Sequence, residues 1–300
     1  MTIRLGLQIP NFSYGTGVEQ LFPTVIAQAR EAESAGFDAV FVMDHFYQLP
    51  MLGSPDQPML EAYTTLGALA TATERIQLGA LVTGNTYRNP TLLAKAITTL
   101  DVISAGRAIL GAGAGWFELE HHQLGFEFGT FTERFERLEE ALQIIDPMSK
   151  GERSTFSGNW YSTESALAEP RYRDSIPILI GGSGEKKTFS IAARYADHLN
   201  IIAGFDKLPG KLKALAQRCK EAGRDRSTLE TSVLATAHLD DNAKPDDRGR
   251  MLVGSAKQIA EQVKANVLEV GIDGVVINMP SYTPGGVAAV GDALRPLVGL

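Results

Sequence analysis

Asp44-His45 ends a short apolar run, Ala39-Val40-Phe41-Val42-Met43, and so puts a carboxylate beside an imidazole. Imidazole exchanges protons near neutral pH, and an adjacent carboxylate can orient or charge it. On these residues alone, a capping aspartate followed by a histidine bonded to a neighbouring loop explains the pair equally well. Thr83-Gly84-Asn85 ends another apolar run. A hydroxyl, a backbone N–H and an amide within three positions suit a planar heterocycle rich in donors and acceptors. A polar turn leading into the next helix is the simpler account, with Asn89 as its cap ahead of Pro90.

Two glycine-rich stretches follow. Gly111-Ala112-Gly113-Ala114-Gly115-Trp116 imitates a dinucleotide-binding fingerprint, but the third glycine of that motif would fall at Trp116. Small residues here indicate either a flat ligand close to the backbone or close packing within the fold. Gly181-Gly182-Ser183-Gly184 lies between an apolar run and a helix expected from residue 185, with Lys186 and Lys187 adjacent. Free N–H groups, a hydroxyl and local cations favour an anion such as phosphate over a simple tight turn. It is not a nucleoside-triphosphate loop, because the lysine of that motif follows a glycine directly. Glu118, Glu120, His121 and His122, with His45 and His198, have side chains that bind zinc or iron, but no His-x-His follows the first strand. No metal site is expected, and His198, at the start of a buried strand, reads as structural.

These residues need elements to hold them. Apolar β-rich runs at 5–9, 39–43, 76–83, 107–111, 177–180, 198–202, 231–237 and 273–279 alternate with segments of helical period. The helical segments fall at 18–35, 60–73, 90–104, 131–145, 185–195, 208–222, 256–270 and 287–297. Such alternation is the signature of βα units around a parallel sheet, and eight units close a barrel. The expected fold is therefore an α/β TIM (β/α)8 barrel, with chemistry in the loops after the strands. Residues 147–175 break the rhythm as an irregular insertion containing a hairpin near 155–161, and 240–247 reads as an acidic loop.

A chain of 300 residues can bury roughly three quarters of its unfolded surface. Length alone allows about two domains, yet such barrels run to ~250 residues as one, so 1–300 is read as a single domain. No apolar run approaches the ~18 residues of a membrane span, and the N-terminus leads straight into a strand, so neither membrane nor secretory signal is expected. Cys219 is the single cysteine, which excludes an internal disulfide and points to a reducing cytoplasm. The net charge of −7 argues against nucleic acid and anionic lipid as partners.

Taken together, the motifs resemble the luciferase-like monooxygenase family, barrels that bind reduced flavin or the deazaflavin coenzyme F420. The resemblance rests on Gly6-Leu7-Gln8-Ile9-Pro10, Ala35-Gly36-Phe37-Asp38, Met43-Asp44-His45-Phe46, Gly79 to Asn85, Asn89-Pro90, the run from Asp101 to Arg107, Gly111 to Trp116, Glu133 to Glu140, Ile180 to Gly184 and Gly274-Val275-Val276. It implies a tricyclic ring against the ends of strands two to four. Thr83 and Asn85 would lie at its polar edge, Asp44 and His45 at the reacting face, and Gly113, Ala114 and Trp116 along its flank. Gly181, Gly182, Ser183 and Gly184 would hold the cofactor phosphate, and a non-prolyl cis peptide would fall between Leu81 and Gly84. Asp44-His45 and the Trp116 loop look more like the F420-dependent branch, which implies hydride transfer to an activated C=C or C=O bond of a small molecule. The alternatives are an FMNH2-dependent monooxygenase, a metal-dependent barrel hydrolase and a non-catalytic cofactor-binding barrel. Asn11 stands where some deazaflavin dehydrogenases carry a glutamate, which points away from a sugar-phosphate or alcohol dehydrogenase. Family members usually dimerise, so a homodimer is expected.

Overall fold

Parallel strands covered on both faces read as continuous apolar runs, and this chain supplies eight of them. The computed structural model describes residues 2–240, 242–243 and 248–299. It forms β1 (Leu5–Ile9), β2 (Ala39–Val42), β3 (Gln77–Ala80), β4 (Ala108–Gly113), β5 (Ile178–Gly182), β6 (His198–Ile201), β7 (Glu230–His238) and β8 (Gly274–Asn278). Consecutive strands pair in parallel, from Gly6 with Ala39 to Ser232 with Gly274. Leu5 pairs with Val275 and closes the ring. The fold is the TIM (β/α)8 barrel that the alternation of apolar runs and helices predicts.

The helices are α1 (Val18–Ser34), α2 (Ala62–Ala72), α3 (Pro90–Ile103), α4 (Glu118–Leu124), α5 (Phe131–Ser149), α6 (Thr188–Tyr195), α7 (Leu208–Glu221), α8 (Ala256–Val263) and α9 (Gly286–Val298). Their ends follow local rules. Asn89 accepts the Thr91 N–H at 2.9 Å, and Pro90 opens α3 where its missing N–H costs nothing. Thr130 and Glu133 cap α5 reciprocally.

Alternation along the strands separates two cores. Phe41, Leu81, Ile109, Leu179, Leu234 and Val276 meet inside the barrel, while Val40, Leu78, Leu110 and Ile178 face the helices. The interior is also partly polar. Gln8 donates to the Leu81 carbonyl at 2.9 Å and accepts from Asn278 at 2.9 Å. His198 is buried against the Ser232 hydroxyl at 2.7 Å, the structural place that its strand-opening position predicts.

Four local differences from the sequence expectations bear on the site. The third run, expected over 76–83, is interrupted: the Leu81–Val82 peptide is cis, and pairing resumes at Thr83, opposite Ala112 of β4. The stretch 112–129, read as a loop, contains the end of β4 and the whole of α4. Helix α6 starts at Thr188 rather than at residue 185, because a turn intervenes between the glycine loop and the helix. The expected hairpin is present as Ser154–Ser157 with Ser162–Ala166. Glu140 of α5 pins its tip by accepting the N–H groups of Asn159, Trp160 and Tyr161 at 2.7, 2.9 and 3.0 Å. The acidic loop at 240–247 lies for the most part outside the described residues.

Candidate active site

Residues that directly follow barrel strands reach the mouth at the carboxyl ends. Asp44 and His45 do so after β2, and α4 turns back to meet them. His45 Nδ1 lies 2.9 Å from Glu120 Oε2, and the His45 side chain is 13% exposed while that of Glu120 is fully buried. Glu120 also accepts the Phe46 and Tyr47 N–H groups on Oε1 at 2.7 and 2.8 Å, and the Tyr87 hydroxyl on Oε2 at 2.5 Å. Burial pushes this carboxyl up, but the His45 ring, the Tyr87 hydroxyl and the N–H groups outweigh it, and Glu120 sits below its ordinary range. A carboxylate so placed fixes one imidazole tautomer, with Nδ1 donating to Glu120 and Nε2 on the opposite edge left for proton exchange. His45 thus bonds to a distant helix rather than to a neighbouring loop.

Asp44 does something different. Its Oδ2 accepts the Gly84 N–H at 2.9 Å and the Arg88 guanidinium at 2.7 Å, and Arg88 in turn reaches Glu61 at 2.5 Å. Burial lifts the Asp44 carboxyl above its ordinary range against the pull of Arg88 and Gly84. Asp44 therefore ties the end of β2 to the interrupted third strand instead of capping a helix. Thr83 faces the Tyr63 hydroxyl at 2.7 Å, and Arg88 lies 4.9 Å over the Tyr63 ring. Asn85 is buried, its Nδ2 has no hydrogen-bond partner among the described residues, and the hydroxyl of Tyr161, from the hairpin, lies beside it.

The glycines of β4 and β5 have a packing explanation. A Cβ on Gly113 would lie 2.6 Å from Val82, one on Gly181 would lie 2.7 Å from Val82, and one on Gly111 would overlap the Ala80 carbonyl oxygen. The interrupted third strand presses into its neighbours here, and only glycine leaves room. G111A is expected to cost about 3 kcal/mol, read as a lowered urea midpoint, since two backbones rather than a flexible side chain must move. A midpoint equal to that of the parent would contradict this account.

Ala112 and Ala114 face the outer core. Trp116 is 53% exposed and meets the His45 ring edge-on, with centroids 5.8 Å apart. Gly182 has φ +139°, which only glycine adopts readily. The Ser183 carbonyl accepts from Lys211 of α7 at 2.9 Å, and Lys211 also pairs with Glu185 at 2.8 Å. The structure thus brings Asp44, Thr83, Gly113 and Gly181 around the cis segment, and His45 with Trp116 beside it.

Of the residues weighed as metal ligands, His45 and Glu120 meet each other, and the rest point elsewhere. His121 is wedged between the Thr86 hydroxyl at 2.7 Å and the Phe117 carbonyl at 2.8 Å, and His122 forms an exposed pair with Glu118 at 3.3 Å. Glu120, weighed only as a metal ligand, is the main participant whose role the sequence reading missed, along with the residues Tyr63, Tyr87 and Arg88. Its one local signal is placement: three residues after the buried Phe117, it falls on the inward face of a short helix.

The profile of the luciferase-like monooxygenase family matches residues 3–245. The chain belongs to that family. Curated relatives come from its F420-dependent branch. An F420-dependent glucose-6-phosphate dehydrogenase of Microbacterium testaceum is 36% identical over 225 residues, 73% of this chain. The match spans 66% of that relative's length, just under two thirds. An F420-dependent hydroxymycolic acid dehydrogenase of Mycobacterium tuberculosis is 30% identical over 279 residues, covering 90% of this chain and 76% of that one. Among solved structures, an F420-dependent secondary alcohol dehydrogenase in complex with an F420-acetone adduct superposes with a TM-score of 0.84 over 99% of both chains at 20% identity, a likeness of fold. The position of the cis peptide, at Leu81–Val82, agrees with the one implied by the luciferase-like resemblance.

Proposed function

We propose that this luciferase-like barrel is an F420-dependent oxidoreductase that moves a hydride between the deazaflavin and an activated C=C or C=O bond of a small organic substrate. The observation that carries the proposal is the His45–Glu120 pair at the barrel mouth, a proton-carrying imidazole held in one tautomer by a buried carboxylate. The names of the curated relatives support the same cofactor.

The site fits a deazaflavin on two counts. Asn85 Nδ2 is a buried donor without a hydrogen-bond partner among the described residues, with the Tyr161 hydroxyl beside it, and such groups are normally satisfied, so a ligand carbonyl at that point would complete it. Val82, backed by Gly113 and Gly181, supplies an apolar floor beside it. Thr83 and Asn85 would meet the polar edge of the ring, and Gly181, Gly182, Ser183 and Gly184 would hold the phosphate. Lys211 is a cation next to that loop. When bound, the reduced deazaflavin supplies hydride, with carbon replacing the ring nitrogen that activates oxygen in flavins.

The chain supplies the proton. Held by Glu120 through Nδ1, His45 presents Nε2, which can give a proton to the substrate in the reducing direction and take it back in the oxidising one. Asp44, held by Arg88 and Gly84, positions the interrupted strand. A homodimer follows the family resemblance, and the lone buried Cys219 supports a reducing cytoplasm.

Parallel titration of the apo-protein with reduced F420 and reduced FMN, followed by fluorescence, tests the cofactor. Tight F420 binding with FMN at least about tenfold weaker, a difference of ~1.4 kcal/mol, is the expected outcome. The reverse preference would make the chain an oxygen-using flavin monooxygenase.

A further inference from the structure

Trp116 is a large indole left 53% exposed in the mouth of the barrel, beside the proposed proton carrier. Its position is fixed from two sides. It tilts against Phe117 with centroids 5.3 Å apart and meets His45 at 5.8 Å, while Phe117 itself meets His45 at 5.9 Å. Beneath these rings, Met43, Leu49 and Phe117 form a buried apolar cluster with Leu52 and Met59 packed on it. The side of the mouth next to His45 thus offers aromatic rings and thioethers. An exposed, rigidly held aromatic surface in a concave site recovers free energy only when something flat and apolar covers it.

We infer that Trp116 determines substrate specificity, and that it selects a carbonyl or alcohol compound whose reacting carbon bears a flat apolar group, such as an aryl ketone, over a sugar phosphate. The inference rests on the proposed function for the identity of the reacting group. The wall itself stands on the geometry of Trp116, Phe117 and His45. It gives Trp116 a role toward substrate that differs from a place along the cofactor flank, and the two roles separate experimentally.

Calorimetric titration of the protein loaded with oxidised F420 reads ligand binding alone, because the oxidised cofactor cannot reduce a ketone. Acetophenone and glucose 6-phosphate serve as probes. Wild-type protein is expected to bind acetophenone and to show no binding of glucose 6-phosphate at the same concentrations. W116A is expected to weaken acetophenone at least about tenfold while changing F420 affinity by less than about twofold, and W116F, which keeps a ring, to retain most of the affinity. Equal acetophenone binding by W116A and wild type, tighter binding of glucose 6-phosphate, or an equal loss of F420 affinity in W116A would each overturn the inference. If the wild-type protein takes up no F420, the proposed cofactor falls, and the acetophenone titration repeated on the free protein still decides the role of Trp116.

Discussion

H45A is expected to lower kcat by about two to four orders of magnitude, the range over which a positioned acid or base contributes, while leaving F420 affinity within about twofold. The substitution removes an imidazole at the mouth that is both partly exposed and tied to a buried carboxylate. It does little to the fold, because Glu120 keeps three donors, the Phe46 and Tyr47 N–H groups and the Tyr87 hydroxyl. A soluble H45A protein that binds cofactor but turns over slowly separates the proton step from binding. Undiminished turnover with a reducible acceptor would sink the assignment of His45.

The second large effect is expected at Glu120, and the informative variant is E120Q. Alanine would strand two backbone N–H groups and a tyrosine hydroxyl in the interior, each costing about 1–3 kcal/mol, so a loss of activity there would be confounded with loss of fold. Glutamine can still accept both N–H groups through its carbonyl oxygen. Its amide then faces Tyr87 and His45 Nδ1 as a donor, which turns the imidazole to the other tautomer. A fall in kcat of about 10²–10³ with the fold intact is expected.

Stability adds an independent readout of the same residue. The Glu120 carboxyl lies below its ordinary range in the folded protein, so the unfolded chain binds its proton at a higher pH than the folded one does. Its contribution is therefore complete above the ordinary carboxylate range, about pH 4–5, and is lost as the pH falls through the lower folded value. The stability advantage of wild type over E120Q, from urea unfolding, should be larger at pH 7 than at pH 4. A constant difference between the two would show that Glu120 carries no such coupling.

How much of this site could be read from the chain depends on range. Asp44 and His45 are legible because they follow an apolar run directly, and strand ends of a barrel define its mouth. Glu120 is not, because it lies 75 residues beyond His45, between a leucine and two histidines, in a stretch that reads at most as metal ligands. Tyr63 and Arg88 are similarly ordinary until the ring closes and puts them beside Thr83 and Asp44. The repeated glycines at 111, 113 and 181 are visible as a pattern but ambiguous in cause. Their packing against Ala80 and Val82 exists only across strand pairs.

The sequence by itself determined the barrel, its eight units, the insertion with its hairpin and the place of Asp44-His45 at a strand end. These rest on periodicity and end signals within about twenty residues, where side-chain pattern and backbone propensity act together. Tertiary structure alone decided which carboxylate serves His45, which glycines are packing contacts and where the Gly181–Gly184 loop meets Lys211. Each of those is a meeting of segments far apart in the chain, fixed by strand register and ring closure, and neighbouring residues carry no record of it.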